Sequence, residues 1–163
     1  MQNKPRQFFS ALLTVSFFVS SVVAQELRPV LSTASAKAII AGCEAYAVDK
    51  GIDVAIAVTG PGDALVAFQK MDGVVPGAGD VAILKAISSS IFGLSSKQFA
   101  TIVNEKPAMA ALPKVVAVEG GEAIYTQRGV LIGGVGVSGA ASADDSACAR
   151  AGIKMAKLRF EKT

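Results

Sequence analysis

Residues 129–152 read Gly-Val-Leu-Ile-Gly-Gly-Val-Gly-Val-Ser-Gly-Ala-Ala-Ser-Ala-Asp-Asp-Ser-Ala-Cys-Ala-Arg-Ala-Gly, and this stretch restricts the fold more than any other. Val130, Leu131 and Ile132 begin an apolar run of strand character. Side chains alternate across a strand, so Gly134 and Gly136 share one face while Val135 and Val137 share the other. A strand face without side chains marks close approach by another backbone or a ligand. Gly139 turns the chain, and Ser142 with Asp145 has the spacing of an N-terminal capping pair. Asp144 and Asp145 then place negative charge at the positive end of a helix. The stretch is a bare-faced strand, a tight turn and a capped helix. What covers the bare face is a helix, a neighbouring subunit or the edge of a flat ligand.

Gly134-x-Gly136-x-x-Gly139 also satisfies a dinucleotide fingerprint to the letter. That fingerprint works only inside a βαβ unit, with an acidic residue on a further strand about 20 residues on. The residues after Gly152 read as a Lys-rich helix, so the nucleotide reading is set aside. A Gly-x-Ser-x-Gly nucleophile elbow fails because Ala140 stands at the second glycine position.

The chain contains no histidine and no tryptophan. Ser-His-Asp and Cys-His nucleophiles are thereby excluded, along with the commonest ligand for zinc, copper and haem iron. At the N-terminus, Lys4 and Arg6 precede an apolar run over residues 8–23, and Val22-x-Ala24 is a small-residue cleavage pattern. Residues 1–24 are therefore expected to be a signal peptide, which makes the protein periplasmic or secreted. Serines and a threonine interrupt the run, and it falls short of the ~20 residues of a spanning helix. Without residues 1–24 the formal charge falls from +3 to +1. No clustered basic face remains to suggest nucleic acid. Residues 25–163 are long enough for one domain with a real core. Cys43 and Cys148 lie in alanine-rich helical surroundings, as a disulfide of an exported protein or as two buried thiols.

Taken in order, Ser32 caps a helix over residues 33–50 that Gly51 stops. Residues 53–59 and 64–70 form two strands joined at Gly60-Pro61-Gly62-Asp63, antiparallel because a parallel return needs a longer crossover. A helix from residue 81 carries Ile83, Leu84, Ile87 and Ile91 on one face with Lys85 beside them, and Gly93 breaks it. Ser95 or Ser96 caps a helix that ends before Pro107. Strands at 115–119 and 122–126 precede the glycine-faced strand, and a helix over residues 143–158 follows it. The fold class is α+β, one domain with a mostly antiparallel five-stranded sheet flanked by helices.

Three segments together resemble the GlcG/HbpS-like family of haem-binding proteins, which includes the C-terminal domain of PduO-type proteins. They are Val54-Ala-Ile-Ala-Val58 with its turn and Phe68-Gln-Lys-Met-Asp-Gly73; Ala82-Ile-Leu-Lys-Ala86; and the 129–152 stretch. The likeness spans residues 30–157. It implies a three-layer domain, homo-oligomers, and binding of haem or a related tetrapyrrole or corrinoid, in some members beside a membrane sensor protein. This chain departs from the family at Thr59-Gly-Pro-Gly-Asp63, which displaces the acidic residue of the first turn, and in having no histidine for iron. Tyr46, Tyr125, Met71, Met109 or a cysteine thiolate are the remaining iron donors.

Candidate ligand-binding residues are Met71, Asp72, Lys85, Gly134, Gly136 and Ser138. Lys85 is a cation for a propionate, carboxylate or phosphate, a partner for Asp72, or a stem buried against the sheet with its ammonium at solvent. Met71 faces a planar apolar ligand, while Asp72 orders the loop after it or simply makes a turn. Ser138 satisfies turn backbone. Asp144 and Asp145 are helix-end charges, since adjacent helical residues do not face each other. The reading is an exported haem or tetrapyrrole binder with no catalytic residue and no other cofactor. Its alternatives are a small-molecule enzyme using Lys85 and Asp72 for proton transfer on a carboxylate metabolite, and a self-assembling partner of a membrane sensor.

Overall fold

The computed structural model describes residues 27–162, and the expected signal peptide lies outside them. Helix α1 spans Thr33–Lys50, with the Ser32 side chain accepting from Ser35 N and Gly51 closing it at φ 63°. Strands β1, Ala55–Thr59, and β2, Leu65–Lys70, form the first hairpin. Helix α2, Ala78–Phe92, starts three residues before the expected point and stops at Gly93 in the left-handed region. Helix α3, Ser96–Glu105, carries a complete capping box between Ser95 and Gln98. A 3-10 turn at Pro107–Ala111 leads to β3, Gly121–Tyr125, β4, Leu131–Ser138, and α4, Ser142–Met155.

The sheet has four strands in the order β2-β1-β4-β3, every neighbouring pair antiparallel. Residues 115–119, expected as a fifth strand, are irregular. Left-handed backbone at Lys114 (φ 65°) and Gly120 (φ 126°) bends the chain on either side of them. Val116 N–H donates to Ser88 Oγ at 3.1 Å, and Lys114 pairs with Asp63 of the first turn. The expected Ser142–Asp145 capping pair is also absent. Ala141 is the N-cap and has no side-chain acceptor, and the Asp145 carboxylate instead accepts from Ala140 N–H at 3.2 Å.

The two faces of the sheet are covered differently. Ile56, Val58, Val135, Val137 and Ile124 pack against α1 and α4 in the main apolar core. Those two helices touch backbone to backbone at Gly42 and Gly152, where a Cβ on Gly42 would stand 2.9 Å from Gly152 Cα. Cys43 and Cys148 are joined there by a disulfide, with Cα atoms 4.5 Å apart. The choice between a bridge and two free thiols is thus settled.

A helix covers the glycine face. A Cβ on Gly136 would overlap Ala82 O and lie 2.5 Å from Ala86 N, and one on Gly134 would lie 2.7 Å from Ser90 N. So close an approach demands small residues from α2 as well. Its inward side is Ala78, Gly79, Ala82, Lys85, Ala86 and the serines 88–90. Val81, Leu84 and Ile91 point outward and are exposed. The large aliphatic face therefore looks away from the sheet. The fold has three layers: α2, the sheet, and the α1–α4 pair.

Candidate functional site: a buried ion network and the hollow beside it

Lys85 sits mid-way along the inward side of α2 and is 1% exposed. Its ammonium donates to Val137 O at 2.9 Å and to Asp145 Oδ2 at 3.1 Å. The Gly120–Gly121 turn closes over it, since a Cβ on Gly120 would stand 2.6 Å from Lys85 Nζ. Gly121 N–H in turn donates to Ser96 Oγ at 2.7 Å. Asp145 is as sealed as Lys85. Burial pushes its carboxyl above the usual range, while Lys85 and the Ala140 N–H pull it back down. A buried ammonium needs such partners, because an unpaired charge in the interior is expensive.

A second pair lies next along α4. Glu122 projects from β3 and is 1% exposed. Its Oε1 accepts from Ser146 Oγ at 3.0 Å and from Arg150 Nε at 2.8 Å. Ser146 and Arg150 are four residues apart and so share a helix face. Burial raises the Glu122 carboxyl, opposed by Arg150 and Ser146. Arg150 itself is part-exposed, and its guanidinium lies 5.1 Å from the centre of the Phe160 ring. Lys154 approaches the same ring at 5.8 Å.

These groups edge a hollow of about 470 Å³ between α3, β3 and the chain after α4. It is lined among others by Leu94, Lys97, Tyr125, Arg150, Phe160 and Lys162. That volume falls among those of small-molecule pockets. The Tyr125 hydroxyl donates to Gly93 O at 2.6 Å, and burial raises its pKa.

The residues singled out in the sequence do not gather in one place. Tyr125 lines this hollow, whereas Tyr46 lines a separate one with Ser146, Arg150 and Lys154. The Tyr46 hydroxyl donates to Asp144 Oδ1 at 3.2 Å. Desolvation, then Asp144 and Asp49, raise its pKa, which disfavours a phenolate ligand. Met71 packs half-buried against the main core, and Met109 is half-buried on the 3-10 turn. Asp72 is exposed in the loop after β2, so it is not the partner of Lys85. Nor does the Lys85 ammonium reach solvent. Gly134 and Gly136 lie beneath α2, and Ser138 is half-buried at the end of β4 opposite Ala55. Both cysteines are bridged, so no thiolate is available. Among the described residues no group of three or more acidic or cysteine side chains is placed to hold a metal ion.

Asp145, Glu122, Arg150 and Phe160 were not read from the sequence as site residues. The one local hint is Arg150, the single large polar residue in Ala147-Cys-Ala-Arg-Ala-Gly152. Glu122 carries no signal, because its partner lies on another element.

An antiparallel three-layer domain with a cation-rimmed, partly aromatic hollow is the class of protein defined so far. Comparison narrows it: residues 31–154 match the family described as haem degrading protein HbpS-like. The chain belongs to the HbpS-like family. No match is found among curated proteins. Several solved structures share the fold. A crystal structure of a PduOC–heme complex is 19% identical at a TM-score of 0.75, covering 82% of this chain and 100% of that one. Klebsiella pneumoniae protein ORFY is 20% identical at 0.76, covering 85% and 98%. A double mutant of Streptomyces reticuli HbpS is 22% identical at 0.75, covering 86% and 97%.

Proposed function

We propose that this chain is an exported binding protein for haem or a related tetrapyrrole. The observation that carries the reading is the family match over residues 31–154, in a family described as haem degrading, which requires that haem be bound. The PduOC structure, crystallised as a heme complex, supports it. The hollow beside Glu122 and Arg150 has the matching chemistry. Phe160, Leu94 and Tyr125 offer apolar edges to a flat ring, and Lys97, Arg150 and Lys162 bring positive charge to it beside the acidic Glu122 and Glu161.

The fit extends to the ring and its acidic substituents and stops at the iron. The chain has no histidine, its cysteines are bridged, and the Tyr125 hydroxyl already donates to Gly93 O. When bound, haem supplies a planar apolar surface and two carboxylates. Phe160 and Leu94 displace water from the ring, and the cations orient the acidic edge.

Export belongs to this reading. The Cys43–Cys148 bridge suits an oxidising compartment such as the periplasm or the exterior. Self-association belongs to it too, supported by exposed Val81, Leu84 and Ile91 on α2, with exposed Phe68 of β2 beside Gly79 of that helix. The assembled form is the partner proposed for a membrane sensor.

Haemin titration of the mature chain tests the reading. A saturable Soret shift at micromolar haemin is expected, and an unchanged Soret band overturns it. Light scattering is expected to show an assembly larger than a monomer.

A further inference from the structure

We propose that Arg150 is a preformed receptor for a carboxylate of the ligand, with Glu122 as its positioning residue. The inference rests on the tetrapyrrole reading and specifies which side chain recognises the acidic edge.

Three supports fix the guanidinium before any ligand arrives. From below, the buried Glu122 Oε1 takes Nε at 2.8 Å. Alongside, the Phe160 ring lies 5.1 Å from the guanidinium carbon. At its root the side chain leaves α4 one turn beyond Ser146, which anchors the same Glu122 oxygen at 3.0 Å. The contact to Glu122 uses only the Nε edge. The two terminal nitrogens make no hydrogen bond to any described residue, and the side chain, 39% exposed, borders both this hollow and the one lined by Tyr46. A guanidinium held by its inner edge presents its outer fork at a fixed angle. That fork matches a carboxylate bidentately.

The asymmetry of the pair argues against a purely structural role. A carboxylate sealed at 1% exposure beside a part-exposed guanidinium is a costly way to tie β3 to α4. Its effect is to orient the outward half of Arg150 with little entropy left to lose on binding. Lys97 pairs with Glu119 at 3.2 Å on the surface, with no buried group to orient it.

The experiment compares protoporphyrin IX, which has free carboxylates and no iron, with its dimethyl ester. The chain has no tryptophan, so binding is followed by the porphyrin's own Soret band and fluorescence. Arg150→Gln is expected to weaken the free acid by about ten- to hundredfold, the span of one charge-assisted contact. Arg150→Lys, which keeps the charge and loses the fork, is expected to lose most of the same affinity. Ester binding is expected to be unaffected by either change. Because Arg150→Gln leaves Glu122 without its ion partner, Glu122→Gln/Arg150→Gln is measured in parallel and must show the same selective loss. If acid and ester weaken equally, or the acid is indifferent to Arg150, the receptor is overturned while tetrapyrrole binding stands. If the wild type binds neither porphyrin nor haemin, both fall.

Discussion

Lys85 Nζ on α2 lies 3.1 Å from Asp145 Oδ2 on α4, across the end of β4, with both side chains sealed from solvent. The pair joins the two helical layers through the sheet between them. Its third member is the Val137 carbonyl, which takes the ammonium at 2.9 Å. Removing one partner leaves the other as a buried uncompensated charge. Lys85→Ala or Asp145→Ala is therefore expected to cost about 3–5 kcal/mol. Lys85→Met with Asp145→Leu is expected to recover much of that loss. Urea unfolding of the three variants checks this, and a double variant no better than the singles contradicts it.

Acid should affect Glu122 in a direction opposite to that of a carboxylate whose pKa is lowered by an ion pair. Burial raises its folded-state pKa above the unfolded value. A raised carboxyl contributes stability that is fully present below the unfolded pKa and is lost as pH rises through the folded pKa. The stability of the wild type minus that of Glu122→Gln is therefore expected to fall between the ordinary glutamate range and neutrality. Denaturant titrations at pH 4, 5.5 and 7 measure it. A difference that grows with pH means that Arg150 outweighs burial.

Gly136 shows how tightly the bare strand face is filled. A methyl there meets Ala82 O and Ala86 N of α2. Gly136→Ala is expected to destabilise by about 1–3 kcal/mol or more, as overpacking does. Gly77→Ala, where a Cβ would meet nothing, is the control and should leave the melting temperature nearly unchanged.

The Cys43–Cys148 bridge closes 105 residues of chain. Loops of that length are worth about 4–5 kcal/mol in the chain-entropy account, with measured values typically of about 2–4. Cys43→Ala with Cys148→Ala is expected to lower unfolding stability by about that amount. Thermal unfolding of the variant, and of the wild type under reductant, should shift downward together.

What could be read from the sequence was whatever neighbours within a turn decide. Ser32 starts its helix and Gly51 and Gly93 stop theirs as their residue types require, while of the two candidate caps Ser95 and Ser96 it is Ser95 that starts α3. The turn residues at 60–63 set the first hairpin, and alternation in 134–137 announced a face that something must cover. The three-layer antiparallel class followed from those local signals and from the family likeness. Local reasoning failed at residues 115–119, where β-branched composition was overruled by the bends at Lys114 and Gly120. It failed again on α2, whose aliphatic stripe looked like a core face. The glycine strand admits a helix only through its small side, so Ala82, Ala86 and Lys85 turn inward.

The candidate site depended still more on tertiary structure. Lys85 and Asp145 are 60 residues apart, and Glu122 and Arg150 are 28 apart. No spacing rule links them, because each pair meets only after the sheet has brought separate elements together. Asp145 read as an ordinary helix-end charge, and its burial under the Gly120 turn made it an ion partner instead. The sequence by itself determined the elements, their turns and the bare glycine face, since those depend on backbone conformation and neighbouring residues. Which helix covers that face, and which charges are sealed together, was decided by close packing over long chain separations.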